Sequence, residues 1–194
     1  MNETLDLEKY INNPSLNMMV LNNHIGRYYY AIKKIDINQK DEVLDISCGH
    51  GYGTYIIAHN CKNAYGSDIN SGNIIKAKSL FKKDNLIFLD NLGMPKEIDK
   101  IICIETIEHI KIEHIPLFID RLFESLKKDG KIFFSFPIGD NKKSDYNEYH
   151  LCEPSLDFIF GILKDKMSKI NIEISKYTND YGHECNYCFL WGRK

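Results

Sequence analysis

The stretch EVLDISCGHGYGT, at residues 42–54, constrains the fold of this chain more than any other. Val43, Leu44 and Ile46 form an apolar, partly β-branched run of strand length. A helical pattern begins at Tyr55, after the glycines. The stretch therefore predicts a buried strand, a glycine-rich turn and the start of a helix.

Three glycines make the predicted turn a candidate binding site for a nucleotide-like ligand. Gly49, Gly51 and Gly53 have no Cβ, so the backbone can adopt positive φ and a ligand can approach its N–H groups closely. A nicotinamide-binding turn has the pattern G-x-G-x-x-G, followed by an acidic residue about 20 positions further on. Here Thr54 holds the third glycine position, although Asp68 lies at a suitable distance (68 − 49 = 19).

Length and composition predict one domain spanning residues 1–194, with residues 1–23 as an N-terminal arm. The formal net charge is -2, and basic and acidic residues are interspersed, so we expect no nucleic-acid partner. The N-terminus, MNETLDLEKY, lacks the features of a signal peptide, and no apolar run is long enough to span a bilayer. These observations predict a cytoplasmic protein without a membrane partner.

The cysteine pattern favours reduced thiols. Six cysteines are scattered along the chain rather than spaced as a disulfide framework. His183, Cys185 and Cys188 come nearest to a metal cluster, but one Cys-x-x-Cys pair is only half of a zinc site. We therefore expect no metal there and expect these thiols to pack in the core beside a final strand.

Strand-like and helical segments alternate along the chain. NAYGSDIN, NLIFLD, DKIICIE and KIFFSFPIG have strand composition, and the apolar run DKIICIE is typical of a parallel strand buried on both faces. The closing segments KINIEISKY and ECNYCFLWG, joined by TNDYGH, predict an antiparallel hairpin. The predicted fold class is α/β, a Rossmann-like doubly wound seven-stranded sheet that is mostly parallel with an antiparallel C-terminal hairpin.

Acidic side chains follow four of the predicted strands, namely Asp45, Asp68, Asp90 and Glu105. Ligands of doubly wound sheets bind beyond the carboxyl ends of the strands, where the strand order reverses. A carboxylate at Asp45, ahead of the glycines, would repel a pyrophosphate and attract an ammonium or sulfonium group. This arrangement favours a sulfonium-bearing ligand over a dinucleotide.

A helix is predicted immediately before the first strand. Apolar and aromatic positions recur there at helical spacing, so one face should pack on the core. Arg27 should lie off that face, near the chain that leads to the glycine-rich turn. The positions of the apolar face are Ile25, Tyr28, Tyr29, Ile32 and Ile35.

At these motifs the sequence resembles the class I S-adenosylmethionine-dependent methyltransferases. VLDISCGHGYG is similar to their first motif, GSDIN to their second, and ETIEHI and KKDGKIFFSFP to later ones. The order and spacing hold from about residue 24 to residue 137, and the closing hairpin is similar to the family's reversed last strand. HIGRYYYAI and NEYHLCEPS further resemble a subgroup common among sugar, polysaccharide and small-metabolite methyltransferases.

The resemblance implies S-adenosylmethionine as the cofactor and implies roles for residues around the turn. Gly49 and Gly51 would shape the turn against the methionine part, and Asp45 would orient the turn or its water. Asp68 would accept both ribose hydroxyls, a bidentate task that suits a carboxylate. Ile69, which follows it, is counted with the cofactor-binding residues.

The resemblance also implies cofactor contacts at the later strand ends. Asp90 would accept from the adenine amino group, with the backbone of Asn91 and Leu92 beside the ring. Arg27 would pair with the cofactor's carboxylate, whose geometry fits a guanidinium, and Glu105 would line the pocket. The charged side chains also have structural alternatives, such as a strand-end cap or, for Arg27, a solvated helix face.

Methyl transfer from a sulfonium is an in-line displacement, so the protein mainly positions the acceptor atom and excludes water. A hydroxyl acceptor also needs a base. His109, after the fourth strand, and His150, after the fifth, are candidate bases, with His109 preferred and Glu108 as its orienting partner. The alternative is that His109 only anchors its loop through a hydrogen bond.

A metal-dependent mechanism would need carboxylates and amides that converge near the acceptor. Asp140, Asn141 and Glu153 have no spacing that supports such a site, so we expect no metal. Cys48, within the turn, and Cys103, within a buried strand, are not expected to be nucleophiles.

The acceptor site should be shallow and built from residues 1–23 and 138–155, because little other chain can cover the cofactor. Tyr146 and Tyr149, with polar neighbours, suit a sugar or nucleotide sugar. The resemblance and this loop therefore predict methylation of a sugar hydroxyl, in a nucleotide sugar or a glycan, by a protein that could form a homodimer. The alternatives are another small-metabolite acceptor, a nicotinamide-dependent oxidoreductase and a noncatalytic binding module.

Overall fold

The computed structural model describes residues 24–145, 147–178 and 184–194. Four expectations lie outside these residues: the N-terminal arm at residues 1–23, Tyr146 of the acceptor site, His183 of the candidate zinc cluster, and the turn of the closing hairpin at residues 179–183. The described part is organised by one mixed sheet with helices on both faces.

Seven strands form the sheet: β1 (Glu42–Ile46), β2 (Asn63–Ser67), β3 (Leu86–Leu89), β4 (Ile98–Ile104), β5 (Leu126–Pro137), β6 (Lys169–Thr178) and β7 (Glu184–Arg193). They lie in the order β3-β2-β1-β4-β5-β7-β6. Strands β1 to β5 are parallel, and β7 is antiparallel to both β5 and β6. The predicted fold class is confirmed.

Among the described residues, five helices connect or flank the strands: α1 (His24–Lys34), α2 (Tyr52–Ile57), α3 (Ser71–Leu80), α4 (Ile115–Ser125) and α5 (Leu156–Leu163). Two short 3₁₀ turns, Ile107–His109 and Ile112–His114, lie between β4 and α4. Within the described ranges, no helix combines the length and the apolar character needed to cross a bilayer.

The core has two layers because strand side chains alternate between the faces of the sheet. Leu44 and Ile46 of β1 pack on the face that carries α4 and α5. Val43, which precedes Leu44 in β1, packs on the opposite face with α1 and α2. Residues of β4 alternate in the same way, which explains why the run DKIICIE is apolar throughout.

The chain order reverses between β1 and β4, which are neighbours in the centre of the sheet. Asp45 of β1 lies opposite Ile102 of β4, and Ile46 lies opposite Cys103. The crevice of a doubly wound sheet opens at such a reversal, beyond the carboxyl ends of the strands. The glycine-rich turn after β1 and the loop after β4 therefore border the same crevice.

Two local expectations differ from the structure. Helix α2 begins at Tyr52, three residues before the predicted Tyr55, because Gly51 in the left-handed region (φ 85°) already turns the chain into the helix. Arg27 was expected off the core face of α1, but its residue is only 3% exposed. Burial of a charged side chain is costly unless the charge is paired, and Arg27 pairs with Glu105.

Candidate active site

The turn after β1 is built from left-handed residues. Ser47, Gly49 and Gly51 have φ values of 60°, 54° and 85°. A Cβ on Gly49 would meet nothing within 4 Å, whereas one on Gly51 would lie 2.6 Å from the ring of Phe88 and 2.7 Å from Cβ of Ala77. The backbone at Gly49 is thus open to a ligand, and Gly51 is required by packing beneath it.

Asp68 connects this turn to the end of β2. Its Oδ2 accepts a hydrogen bond from the Gly49 N–H at 2.9 Å, and its Oδ1 accepts from the Asn70 N–H at 2.8 Å. The amide of Asn73 donates to the same Oδ1 at 3.3 Å. A largely buried carboxylate is therefore fixed beside the open glycine, and its Oδ2, which accepts only one of these bonds, retains a further acceptor site.

Asp45 lies beneath the turn and is completely buried. Its carboxylate accepts hydrogen bonds from Thr54 Oγ1 at 2.6 Å and from the Tyr28 hydroxyl at 3.2 Å. Burial raises the pKa of Asp45 to about 7, although both hydrogen bonds favour the ionised form. The carboxyl joins β1 to α1 and α2, and near neutral pH it is only partly charged, so the electrostatic argument made from the sequence applies to it only in part.

The loop after β3 approaches the end of β2. The Leu92 N–H donates to the Asp68 backbone oxygen at 3.3 Å, and Asn91 and Leu92 are both left-handed, with φ of 57° and 50°. Asp90 is half-exposed and lies 3.6 Å from Lys78 Nζ. Ile69 is 73% exposed. The structure thus brings the residues expected around the adenosine to one edge of the sheet.

Arg27 and Glu105 form a buried ion pair at the centre of the crevice. Arg27 Nη1 lies 2.9 Å from Glu105 Oε2, and the Tyr187 ring of β7 lies 4.3 Å from the guanidinium carbon. Ser135 Oγ donates to the other oxygen of Glu105 at 2.9 Å. Glu105 is left-handed (φ 47°), a strained conformation that the pairing maintains. Arg27 is therefore not on a solvated helix face.

Glu108, His109 and His150 converge beyond the ends of β4 and β5. One side-chain N or O atom from each lies within 4.8 Å of the other two, and the imidazole centroids are 5.3 Å apart. His109 Nδ1 is 2.8 Å from the Tyr149 backbone oxygen, so that nitrogen is the donor. His150 Nδ1 is 2.9 Å from Glu153 Oε1. Both predicted bases thus lie at one site, and both use Nδ1 in the hydrogen bonds described.

Glu108 does not orient His109 as the sequence suggested, because His109 Nδ1–H donates to the Tyr149 backbone oxygen. Glu108 is fully buried, and neither of its carboxyl oxygens has a hydrogen-bond partner among the residues that the structure describes. Burial raises the pKa of the Glu108 carboxyl well above its ordinary value, and the negative charge of Glu105 adds to the effect.

The other candidate metal ligands do not converge. Asp140 pairs with Lys142 at the surface, and the Asn141 side chain bonds with the backbone and hydroxyl of Ser155. Cys185 and Cys188 are three positions apart on β7, so their side chains lie on opposite faces of the sheet. All six cysteines are buried.

Four residues that support the site were not identified from the sequence. Tyr28 and Thr54 hold Asp45, Ser135 holds Glu105, and Tyr187 covers Arg27. Tyr28 was recognised only as an apolar position of α1. Ser135 does have a signal in the sequence, since it is a polar residue within the apolar run of β5.

A sequence model described as a methyltransferase domain matches residues 25–161. The chain belongs to this methyltransferase family. An O-methyltransferase of ubiquinone biosynthesis from Rickettsia typhi is 31% identical over 169 residues, covering 82% of this chain and 61% of its own length. A sphingolipid C9-methyltransferase from Candida albicans is 26% identical over 117 residues, covering 53% of this chain and 23% of its own length.

The chain thus spans less than two thirds of these methyltransferases. Among solved structures, an S-adenosylmethionine-dependent methyltransferase from Methanosarcina mazei has a TM-score of 0.69 at 16% identity, covering 84% of this chain and 96% of that one. Magnesium protoporphyrin IX methyltransferase from Synechocystis, with bound S-adenosylhomocysteine, has a TM-score of 0.66 at 16% identity, over 93% of this chain and 88% of that one. The family is therefore a methyltransferase family, and the fold is shared with these S-adenosylmethionine-dependent methyltransferases, as the motif resemblance predicted.

Proposed function

We propose that this chain binds S-adenosylmethionine and transfers its methyl group to a hydroxyl oxygen of a small molecule. The observation that carries the proposal is the carboxylate of Asp68, which accepts a hydrogen bond from the N–H of Gly49 in the open turn between β1 and α2. A carboxylate held there is suited to the two hydroxyls of a ribose, and an open glycine backbone is suited to a ligand lying on the turn.

The described residues fit the cofactor at three positions. The methionine part would lie beside Gly49, because no atom lies within 4 Å of the position that a Cβ would occupy there. The exposed side chain of Ile69 and the backbone of Leu92 would border the adenine, and Asp90 would accept from its amino group. Arg27 would meet the cofactor's carboxylate, and because it already pairs with Glu105, it would be shared between the two carboxylates.

Bound S-adenosylmethionine supplies an electrophilic methyl group on a positively charged sulfur. The chain's own residues would position the acceptor oxygen and accept its proton. His109 is the preferred base. Its Nδ1–H donates to the Tyr149 backbone oxygen, so its Nε2 has the lone pair that would accept the proton. His150, held by Glu153, is the second candidate, and Asp45 would act only by supporting the turn.

The acceptor is proposed to be a sugar hydroxyl, in a nucleotide sugar or a glycan. The loop after β5 supports this choice because Tyr149 is 70% exposed and could stack on a sugar ring beside the two imidazoles. A second candidate is an oxygen acceptor of the ubiquinone pathway, which the name of the Rickettsia relative favours. The homodimer and the cytoplasmic location stay predictions. Light scattering on the purified protein tests whether it forms a homodimer.

Calorimetric titration with S-adenosylhomocysteine tests the cofactor. We expect one site per chain, and we expect Asp68→Asn to weaken binding by about tenfold or more, because hydrogen bonds to charged groups contribute about 1.5–3 kcal/mol. Asp84→Asn, at an exposed position outside the site, is the matched control. Binding of NAD in place of S-adenosylhomocysteine would instead support a nicotinamide-dependent oxidoreductase.

A turnover assay then tests the acceptor. The protein is incubated with methyl-labelled S-adenosylmethionine and panels of nucleotide sugars, glycans and quinone precursors. Label transfer to a sugar supports the first candidate, and transfer to a quinone precursor supports the second. Cofactor binding without transfer to any acceptor would support a noncatalytic binding module.

A further inference from the structure

We infer that Glu108, His109 and His150 bind one divalent first-row transition-metal ion beside the crevice. Two imidazoles and one carboxylate form a ligand set that holds zinc or iron(II) in other proteins and leaves coordination positions open for a substrate. The three ligand atoms lie within 4.8 Å of one another. With bonds of about 2.0–2.2 Å, the ligand atoms on one ion lie about 3–4 Å apart. The three side chains therefore need to approach one another by only about 1 Å to bind an ion.

The orientation of both imidazoles supports metal binding. Metal-binding histidines usually donate their second ring N–H to a carboxylate or a backbone carbonyl, which fixes the tautomer. His109 Nδ1 bonds to the Tyr149 carbonyl, and His150 Nδ1 bonds to the Glu153 carboxylate. Each ring therefore carries its hydrogen on Nδ1 and offers the lone pair of Nε2 to an ion.

Glu108 provides an independent observation. Its carboxyl group is fully buried, and among the described residues neither oxygen has a hydrogen-bond partner. A buried carboxyl group without partners costs free energy, so a position that retains one suggests a ligand that is not part of the chain. The group points into the cluster that contains the two imidazoles, because its oxygen is one of the three converging atoms.

The surrounding charges also favour a cation. Glu105 and Glu153 act electrostatically on Glu108, and Arg27 opposes them. The cluster therefore contains three carboxyl groups against one guanidinium, and that guanidinium already pairs with Glu105. His24, at the start of α1, also lies near the cluster and interacts electrostatically with Arg27, Glu105 and His109. A divalent ion would balance the excess of acidic groups.

The role of the ion rests on the proposed function. An imidazole whose Nε2 binds an ion cannot accept a proton, so the ion would replace the histidine base by binding the acceptor hydroxyl and lowering its pKa. The hydroxyl proton passes to solvent, the O–C bond forms, and the C–S bond breaks with its electron pair left on sulfur. Open coordination positions would favour an acceptor with two adjacent oxygens, such as a vicinal diol.

Titration of the metal-stripped, reduced protein with Co²⁺, followed by visible absorption, tests the site directly. We expect one ion per chain, with a spectrum that lacks thiolate charge-transfer bands. His109→Gln, His150→Gln and Glu108→Gln should each weaken binding by at least about a hundredfold, because loss of a supporting residue alone costs about 10–100-fold. Glu153→Gln, which removes only the support of His150, should show that smaller loss.

His114→Gln is the matched control, since His114 is exposed and lies outside the cluster. Metal-free Glu108→Gln should be at least as stable as the parent protein, because the substitution removes an unpaired buried acid, whereas a structural role would lower its melting temperature. Absence of Co²⁺ binding, or equal binding by His150→Gln and His114→Gln, would overturn the inference. Titration with S-adenosylhomocysteine on the same samples keeps this failure separate from failure of the proposed function.

Discussion

At the scale of single residues, the buried carboxyl of Asp45 makes the stability of the fold depend on pH. Burial raises its pKa in the folded protein to about 7, whereas the ordinary value is 3.8. Between these values the folded state binds more protons than the unfolded state, so the stability of the folded protein falls as pH rises through this window. Below about 4 both states are protonated, and the penalty disappears.

Asp45→Asn should remove this dependence. Asparagine has the same shape and can still bond with Thr54 and Tyr28, but it does not titrate. The unfolding free energy of the variant, relative to the parent, should rise by up to about 1.4 kcal/mol per pH unit between about pH 4 and 7. Urea unfolding at several pH values measures this difference, and the exposed Asp36→Asn is the control. A constant difference across the window would contradict the buried, titrating carboxyl.

The ion pair of Arg27 and Glu105 is a second residue-scale feature, and it should behave as a coupled unit. Removing one partner of a buried pair leaves an uncompensated charge, which costs about 3–5 kcal/mol. Arg27→Met and Glu105→Gln should each destabilise the protein strongly, and the double variant should lose less than the sum of the two. Urea unfolding of the four proteins gives the coupling energy. Additivity within about 0.5 kcal/mol would show that the pair is not coupled.

At the scale of elements, the joint between β1 and α2 depends on Gly51. Alanine there would adopt φ 85° and place its Cβ 2.6 Å from the Phe88 ring, so Gly51→Ala should destabilise the protein by about 1–3 kcal/mol. Gly161→Ala, in α5, meets nothing within 4 Å and should stabilise the protein by up to about 1 kcal/mol. Thermal unfolding compares the two. Equal effects would argue against the packing role of Gly51.

The elements themselves were predictable because their signals are local. The glycine-rich turn, the apolar run of β4 and the closing hairpin each follow from residues that are adjacent in sequence. The burial of Arg27 was not predictable, because it depends on Glu105 and on Tyr187 of a distant strand. The hydrogen bond from His109 to the Tyr149 backbone oxygen connects residues 40 positions apart, and neither segment alone indicates this contact.

At the scale of the whole molecule, the sheet is continuous from β3 to β6, so the proposed cofactor site and the hairpin should unfold together. The single tryptophan, Trp191, lies on β7 and stacks on Phe133, far along the sheet from the glycine-rich turn. Its fluorescence therefore reports the hairpin side of the molecule, whereas far-ultraviolet circular dichroism reports all the secondary structure.

S-adenosylhomocysteine at about 100 times its dissociation constant should stabilise the folded state by about 2.7 kcal/mol, because it binds only that state. The Trp191 transition in urea should shift by the same free energy as the circular dichroism transition, although the tryptophan does not border the proposed site. Asp68→Asn, which weakens the site, should show a smaller shift at the same ligand concentration in both signals. A shift in circular dichroism that left the tryptophan transition unchanged would mean that the two halves of the sheet unfold independently.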